Sequence, residues 1–261
     1  MALPGDPTHS TVAPPAIAET ELFAVDAYQH SFDADVVDVD PEGNRVLLSR
    51  TAFFPGGGGQ PFDTGTLSGP TGSLTVERVK RETTGIWHWL AGDAERPQPG
   101  SQIHGELDWD RRHLVMRTHT ALHILCGVIW DEFRIPVTGG NMDVGTGRLD
   151  FPLDAMSTEL GTRLEARINE EIAAAHDIVV EFLGRDLADA DPALIRTAAN
   201  LIPREIDPLR IINIVGLDKQ ADGGTHVMST AEVGSVRVTG TESKGKGNKR
   251  IRIAVEETPQ P

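Results

Sequence analysis

The stretch that decides the fold is Arg117-Thr118-His119-Thr120-Ala121-Leu122-His123, which sets two imidazoles four residues apart in a helical pattern. Side chains with this spacing lie one above the other on a helix, so His119 and His123 can reach a common point. The apolar residues around them recur at three- and four-residue steps, as on one face of an amphipathic helix: Leu114, Leu122, Leu125, Cys126, Ile129 and Phe133. This helix supplies half of a metal site.

A second pair with the same spacing lies in Asp222-Gly223-Gly224-Thr225-His226. Here the spacing crosses a Gly-Gly pair, and glycine allows the tightly folded backbone that would turn Asp222 and His226 towards one point. Three imidazoles and one carboxylate suit zinc, which accepts histidine nitrogen and aspartate oxygen in tetrahedral sites. We therefore predict a metal site formed by His119, His123, Asp222 and His226.

The alternative is that these histidines only pack. The chain has nine histidines, so an isolated H-x-x-x-H is a weak signal. Its combination with D-G-G-T-H is a stronger one. The residues between the two helical histidines are Thr, Ala and Leu, so no glutamate base is present and a metalloprotease is not indicated.

Length and composition indicate a globular protein. The 261 residues have room for one large or two medium domains, and 39% are hydrophobic. No run is long and apolar enough to span a bilayer, so no membrane is expected. The single cysteine, Cys126, excludes an internal disulfide and fits a reducing cytoplasm, where we expect the protein to act.

The net charge of −15 argues against broad binding to nucleic acids, because phosphate attraction dominates such binding. The charge reverses locally near the C-terminus. Between residues 237 and 252 one acid, Glu242, accompanies six cations: Arg237, Lys244, Lys246, Lys249, Arg250 and Arg252. A polyanion could dock there.

The first half of the chain predicts a small β-barrel. Residues 1–18 are rich in Pro, Ala and Thr and are expected to form a disordered extension. Short β-rich runs follow, separated by turn residues, over 35–39, 45–49, 74–79, 86–90 and 102–107. Several short strands at this spacing favour a closed barrel, which we assign to residues 19–109.

Four consecutive glycines, Gly56 to Gly59, lie between two prolines and precede Gln60. This segment cannot be regular helix or strand, so it is a loop whose backbone can approach another group closely. It lacks the Gly-Lys-Ser/Thr of a phosphate-binding loop and the G-x-G-x-x-G of a dinucleotide loop. Two interpretations of this loop remain open: a mobile surface turn and a lid over the substrate.

The second half predicts an α+β domain over residues 110–257, with a tail at 258–261. A long helix is expected where Met156, Leu160, Leu164, Ile168 and Ile172 recur at four-residue steps. Strand-like runs occupy 148–151, 178–183, 210–215, 235–238 and 251–255. Mixed strands with two long helices give the α+β class.

Taken in order, five motifs resemble those of the freestanding alanyl-tRNA editing proteins and of the editing domain of alanyl-tRNA synthetase. They are F-F-P-G-G-G-G-Q-P-F-D-T-G, R-T-H-T-A-L-H, R-L-D-F, D-G-G-T-H-V and K-G-K-G-N-K-R-I-R-I. The resemblance covers residues 21–255. It implies a β-barrel followed by the α+β domain shared with threonyl- and alanyl-tRNA synthetases. It also implies hydrolysis of the ester on tRNA(Ala) mischarged with serine, or in some cases glycine.

The resemblance further implies one Zn²⁺ bound by H-x-x-x-H and C-x-x-x-H. The matching residues are His119, His123 and His226, whereas the family cysteine falls on Asp222. Carboxylate is a harder ligand than thiolate, so iron(II) or manganese would also suit the site. Two arrangements stay open: Asp222 completes the coordination, or it is a neighbour that leaves a position for water or substrate.

Roles in the reaction are also carried over from the resemblance. His119 and His123 are expected to serve catalysis through the metal, and Thr138 to bind the seryl hydroxyl, with Thr120 as the second choice. The loop residues Gly57, Gly58, Gly59 and Gln60 would close over the aminoacyl end. The tRNA would contact three cations of the terminal motif: Lys246, Lys249 and Arg250.

Two other functions fit parts of this pattern. A tRNA-binding module of the same fold that has lost hydrolysis would explain Asp222 as a defect. A metal-dependent hydrolase of small esters would explain the metal motifs and leave the basic segment without a role. Editing is favoured because the metal motifs and the basic segment occur together.

Overall fold

The structure, a computed structural model, describes residues 12, 14–15, 17–40, 44–70, 72–92, 95–154, 157–200, 202–245 and 247–256. Most of the extension expected at residues 1–18, the tail at 258–261, and Lys246 lie outside these ranges. Within the described ranges, no helix has the length and apolarity that crossing a bilayer requires.

Four α-helices and thirteen strands make up the described part of the chain. The helices are α1 (Ile17–Thr20), α2 (Trp109–Phe133), α3 (Thr158–Ala173) and α4 (Arg185–Ala190). The first six strands are β1 (Ser31–Asp40), β2 (Arg45–Leu48), β3 (Gly65–Gly69), β4 (Gly72–Glu82), β5 (Gly85–Ala91) and β6 (Gln102–Leu107). The other seven are β7 (Gly139–Asp143), β8 (Thr146–Phe151), β9 (Ile178–Leu183), β10 (Leu209–Ile214), β11 (Asp218–Ala221), β12 (Val236–Ser243) and β13 (Lys249–Val255).

The first six strands close into an antiparallel barrel in the order β1-β2-β5-β4-β3-β6. Alternate residues point inwards, as in β6, where Ile103, Gly105 and Leu107 are buried. The predicted α+β class with an N-terminal barrel is therefore confirmed. Strand β3 was not expected, because its sequence Gly-Thr-Leu-Ser-Gly has low β propensity.

Helix α2 is the central element of the second half, and its expected amphipathic character is wrong. Every residue from Val115 to Ile129 is buried, including the polar ones. The helix contacts α3, both sheets of the second half, and a 3₁₀ turn at Thr230–Val233, so this central part has no face towards solvent. Asp108 caps its N-terminus by accepting a hydrogen bond from the backbone N–H of Arg111 at 3.2 Å.

Two antiparallel sheets pack around this helix. The larger has the order β12-β13-β8-β7 and the smaller β11-β10-β9. Helix α3 forms as predicted and buries Leu164, Ile168 and Ile172 on one side. Strands β7 and β11 were not predicted, since Gly139-Gly140-Asn141 and Asp218-Lys219-Gln220 have neither a β-branched run nor apolar alternation.

A buried ion pair joins the barrel to the second half of the chain. Arg112 of α2 is fully buried and donates to Oδ2 of Asp63, which follows the glycine loop, at 2.9 and 2.5 Å. It also donates to the carbonyls of Ala27 and Ala52. Removing one partner of such a pair costs about 3–5 kcal/mol, because an uncompensated charge stays buried. The domain limits 19–109 and 110–257 remain proposals, because this ion pair joins the two units tightly.

Candidate metal centre

Four side chains from two distant segments converge beside helix α2. One ligand atom each from His119, His123, Asp222 and His226 can be chosen so that all lie within 4.8 Å of one another. The carboxylate of Asp222 lies 3.7 Å from Nε2 of His119, 4.0 Å from Nε2 of His123 and 3.2 Å from Nε2 of His226. The two motifs found in the sequence thus form one cluster that could hold a metal ion.

His119 is oriented by Gln60, the residue that ends the glycine loop. The backbone N–H of Thr225 donates to Oε1 of Gln60 at 3.0 Å, which identifies that amide atom as the oxygen. Nδ1 of His119, 2.9 Å from the same oxygen, must therefore carry a proton and donate it. This fixes the tautomer and leaves the Nε2 lone pair free for a metal.

His226 has an equivalent neighbour in Thr120, which lies one residue after His119 on α2. Its hydroxyl oxygen is 3.2 Å from Nδ1 of His226 and accepts from the backbone N–H of Val227 at 3.4 Å. Thr120 is completely buried. It therefore serves to hold the His226 ring with Nε2 turned towards Asp222.

His123 has a carboxylate behind it. Its Nδ1 is buried, lies 3.7 Å from Oδ2 of Asp218, and makes no hydrogen bond among the described residues. Asp218 is held in place by Arg196 at 3.1 Å and by Gln220 at 2.5 Å. A movement of about 0.8 Å would complete a carboxylate–histidine pair of the kind that supports metal ligands.

The Asp222 turn is folded by backbone hydrogen bonds. The N–H of Gly224 donates to Oδ2 of Asp222 at 2.6 Å, and Arg210 donates to the carbonyls of Asp222 and Gly224 at 3.0 and 2.8 Å. A Cβ on Gly224 would lie 2.5 Å from both Nδ1 of His119 and Oε1 of Gln60. Glycine is needed here because the backbone passes directly over the His119–Gln60 hydrogen bond.

Burial sets the protonation of the cluster. It lowers the pKa of His119 to about 4 and holds that of His226 well below its usual value. Burial alone would raise the pKa of Asp222, but the neighbouring imidazoles lower it well below the usual range. Near neutral pH the rings of His119 and His226 are thus uncharged and Asp222 is a carboxylate, which is the ionisation state that metal binding requires of these ligands.

These residues fit a bound metal ion. Nε2 lone pairs and carboxylate oxygens converge on one point, and such a group is unfavourable unless a proton or a cation lies between its members. The buried Nδ1 of His123, which makes no hydrogen bond within the described part of the chain and faces Asp218, is a second feature that suits a ring serving as a metal ligand. Three nitrogens and one oxygen are within the donor range of zinc.

The glycine loop borders this cluster. Gly56, Gly57, Gly58 and Gly59 all have positive φ, a conformation that other residues rarely adopt, and reciprocal backbone hydrogen bonds between Gly57 and Gln60 close the turn. Open space surrounds Gly57 and Gly58. Gly59 lies against strand β7 and accepts from the N–H of Met142 at 3.2 Å.

The two threonines considered for the seryl hydroxyl lie in different surroundings. Thr120 is inside the cluster, whereas Thr138 is exposed and lies just before β7. The hydroxyl of Thr138 donates to Oδ1 of Asn248 at 3.0 Å and makes no hydrogen bond to the four clustered residues. The structure therefore brings Thr120, and not Thr138, into contact with the histidines.

Three cations of the basic segment near the C-terminus are engaged in contacts within the protein. Lys249 is buried and donates to Ser243 and Gly245 within the β12–β13 turn. Arg250 forms a bidentate pair with Asp150, with both distances 2.7 Å. Arg252 pairs with Glu242 at 2.8 Å. Counting charges along the sequence missed Asp150, which reaches this segment from strand β8.

Four residues that support the cluster were not found from the sequence: Asp218, Arg210, Arg196 and Thr225. Arg210 gave one usable signal, because an arginine at the start of a strand that is otherwise buried needs a partner. Asp218 gave none, since it lies in an unremarkable polar run. Their roles depend on which loops meet at α2.

This fold and site define a domain of the kind that aminoacyl-tRNA synthetases carry. Residues 209–252 match the pattern described as the threonyl and alanyl tRNA synthetase second additional domain. Residues 18–111 match the pattern of class II (A) tRNA synthetases. The first match includes D-G-G-T-H and the second ends at the start of α2.

Whole-chain relatives identify the family. The alanyl-tRNA editing protein AlaX-M of Saccharolobus solfataricus is 37% identical over 238 residues, which is 90% of this chain and 98% of the relative. AlaX-M of Methanosarcina mazei is 33% identical, over 90% and 95%. The alanine–tRNA ligase of Pyrobaculum aerophilum is 35% identical over 87% of this chain but only 26% of the ligase. The chain belongs to the AlaX family of alanyl-tRNA editing proteins.

Proposed function

We propose that this protein hydrolyses the ester of tRNA(Ala) mischarged with serine, and also with glycine, and spares correctly charged Ala-tRNA(Ala). The reaction uses one divalent metal, with Zn²⁺ as the first choice. Its substrate is made and used in translation, which places the protein in the cytoplasm. Membership of a family of alanyl-tRNA editing proteins supports the substrate class.

The observation that carries the proposal is the cluster of three imidazoles and one carboxylate, together with the groups behind it. Gln60 fixes the tautomer of His119, Thr120 holds His226, and Asp218 faces His123. Such supporting contacts orient metal ligands. A packing role for the histidines would not require each ring to turn Nε2 towards the same carboxylate.

The metal would be held by His119, His123 and His226, with Asp222 as the fourth ligand or as a neighbour. When bound, it supplies Lewis-acid polarisation of the ester carbonyl or activation of water at neutral pH. The chain itself keeps the rings of His119 and His226 uncharged through burial and places the glycine turn beside the cluster, where its open side admits the aminoacyl end.

Selection of serine over alanine needs a polar group that pairs with the seryl hydroxyl, because alanine would then leave that group unpaired. The hydroxyl of Thr120 is already engaged by His226 and Val227. Thr138 precedes the strand against which the glycine turn lies, and among the described residues its exposed hydroxyl bonds the side chain of Asn248. We assign hydroxyl recognition to Thr138, and ring positioning to Thr120.

Replacing each threonine by valine separates these roles. Thr138→Val should reduce the ratio of kcat/KM for Ser-tRNA(Ala) over Ala-tRNA(Ala) by at least tenfold, with unchanged metal content. Thr120→Val should weaken metal binding by about 10–100-fold and slow both substrates alike. Deacylation of both aminoacyl-tRNAs and elemental analysis would measure this. An unchanged ratio in Thr138→Val would remove Thr138 from recognition.

The proposed reaction is tested with a panel of Ser-, Gly- and Ala-tRNA(Ala), with and without a chelator. We expect rapid loss of the seryl ester, slow loss of the alanyl ester, and recovery of chelated protein on adding back Zn²⁺. Hydrolysis that survives complete metal removal would contradict the mechanism. Binding of tRNA without hydrolysis would favour the non-catalytic module, and hydrolysis of simple esters without competition by tRNA would favour a small-ester hydrolase.

A further inference from the structure

The outer face of the four-stranded sheet carries a row of arginines that leads away from the metal cluster. Strands β8 and β13 pair so that Arg148 is directly opposite Arg252. Residues paired in this way point to the same side of a sheet. Ile251 and Ile253, which alternate with Arg252, belong to the core around α2. The two arginines therefore project from the face opposite the helices.

The register gives this row an excess of positive charge. Along it lie Asn141 of β7, Arg148, Arg252 and Gly240 of β12, so it contains two cations and no acid. The adjacent row differs, since it runs through Gly139, Asp150, Arg250 and Glu242 and is acidic and basic in alternation. Like charges directly opposite each other are destabilising, and Asp150 and Glu242 supply part of the negative charge that offsets the Arg148–Arg252 pair.

Nearby carboxylates engage only part of each guanidinium group. Asp150 gives both of its oxygens to Arg250 at 2.7 Å, and its contact with Arg148 is a longer 3.4 Å. Arg252 reaches Glu242 at 2.8 Å through Nε, while its NH2 is 3.4 Å from the other oxygen. Arg148 and Arg252 line a groove of about 320 Å³, whose lining also includes one acid, Asp143. Each guanidinium group retains N–H donors that could bind a phosphate placed between the two arginines.

The groove begins at strand β7, whose Asn141 also contacts the glycine turn beside the metal cluster. Nδ1 of His119 contacts Gln60, which directly follows Gly59. Gly59 in turn lies close to strand β7, since a Cβ on it would be 3.6 Å from Cα of Asn141. Asn141 is the partner of Arg148 in the sheet. Neighbouring strands are about 4.8 Å apart, so Arg148 and Arg252 are about one and two strand spacings from β7.

We propose that Arg148 and Arg252 bind the backbone phosphates next to the 3′ end of the tRNA, and that this groove guides the end to the metal cluster. The inference rests on the proposed function, since it concerns the same substrate. It also moves the main phosphate contact away from Lys249 and Arg250, which are engaged within the protein. The occupant is a phosphodiester strand, because Arg recognises phosphate through paired donors.

Deacylation of two substrates by Arg148→Gln, Arg252→Gln and the double variant tests the proposal. One substrate is Ser-tRNA(Ala), and the other is 3′-O-seryl-adenosine, which has the ester but no phosphate. We expect KM for the tRNA to rise about three- to tenfold per arginine, and the slope of log KM against log salt to fall by about 0.7–0.9 each. KM for seryl-adenosine should stay unchanged.

Arg163→Gln is the matched control. Arg163 is an exposed arginine on α3 that pairs with Glu132 at 2.9 Å, on the helical side of the same sheet. It should behave as the parent with both substrates. Parent-like salt slopes in the double variant, or an equal loss on both substrates, would overturn the proposal.

Binding of tRNA without an attached amino acid to the same variants distinguishes failure of the proposed deacylation from failure of the proposed phosphate groove. If the parent hydrolyses neither substrate, the proposed function fails, while weaker binding by Arg148→Gln with a reduced salt slope would still support the phosphate groove. If the parent hydrolyses both substrates and its tRNA binding matches that of the double variant, the groove fails and the proposed function stands.

Discussion

His123→Ala should lose bound metal and slow the deacylation of Ser-tRNA(Ala) about a thousandfold or more. His123 supplies one of three converging Nε2 atoms, and its buried ring faces Asp218 on the other side, so alanine removes a ligand and leaves a carboxylate without its neighbour. Metal polarisation of an ester is worth several kcal/mol, and each 1.36 kcal/mol changes a rate tenfold. Single-turnover deacylation and elemental analysis of one preparation would measure both losses.

The matched control for this variant is His113→Ala, on the same helix. His113 stacks on Trp109 and lies 3.7 Å from Glu232, outside the metal cluster. It should retain metal and activity close to the parent, which would show that a helical histidine as such is not required. Normal hydrolysis by a metal-free His123→Ala protein would remove the metal from the mechanism.

Gly224→Ala should disrupt the metal site by steric clash, because the substitution adds a methyl group and removes no metal ligand. The new methyl group would lie 2.5 Å from Nδ1 of His119 and from Oε1 of Gln60, closer than carbon contacts allow, so their hydrogen bond must break or the Asp222 turn must move. Loss of such an orienting contact lowers metal affinity about 10–100-fold, and overpacking costs about 1–3 kcal/mol of stability. Metal competition with a chromophoric chelator and thermal unfolding would detect the two effects.

The adjacent residue provides the control. A Cβ on Gly223 meets nothing within 4 Å, so Gly223→Ala should bind metal within a few-fold of the parent. Both variants carry the same added methyl group in the same Gly-Gly pair. Equal metal affinities for the two would contradict the close approach of the backbone to His119.

The sequence predicted those parts of the site that depend on local spacing. His119 and His123 are four residues apart on a helix, and Asp222 and His226 are four residues apart across glycines, so each pair was recognisable without coordinates. The barrel strands were recognisable from alternation in the same way. The glycine-rich strands β3 and β7 were not, because their pairing depends on neighbours rather than on their own propensity.

The supporting contacts could not be predicted, because they join segments that are far apart in the chain. Gln60 meets His119 and Thr225 only when the barrel packs on α2, and Asp150 meets Arg250 only through the β8–β13 register. The burial of α2 on every side has the same origin. A hydrophobic pattern describes one helix, whereas burial depends on how many elements surround it.

The two ends of the glycine turn beside the metal cluster differ in how strongly they are held in place: Gln60 is fixed, and Gly57 and Gly58 are free to move. Gln60 is tied down by hydrogen bonds to His119 and to Thr225, so it cannot swing outwards without releasing the ring it steadies. Gly57 and Gly58, three and two residues before Gln60, border open space and have no side chains to restrain them. We therefore expect the backbone at Gly57 and Gly58 to move when an aminoacyl group binds, while Gln60 and the His119 ring keep their positions.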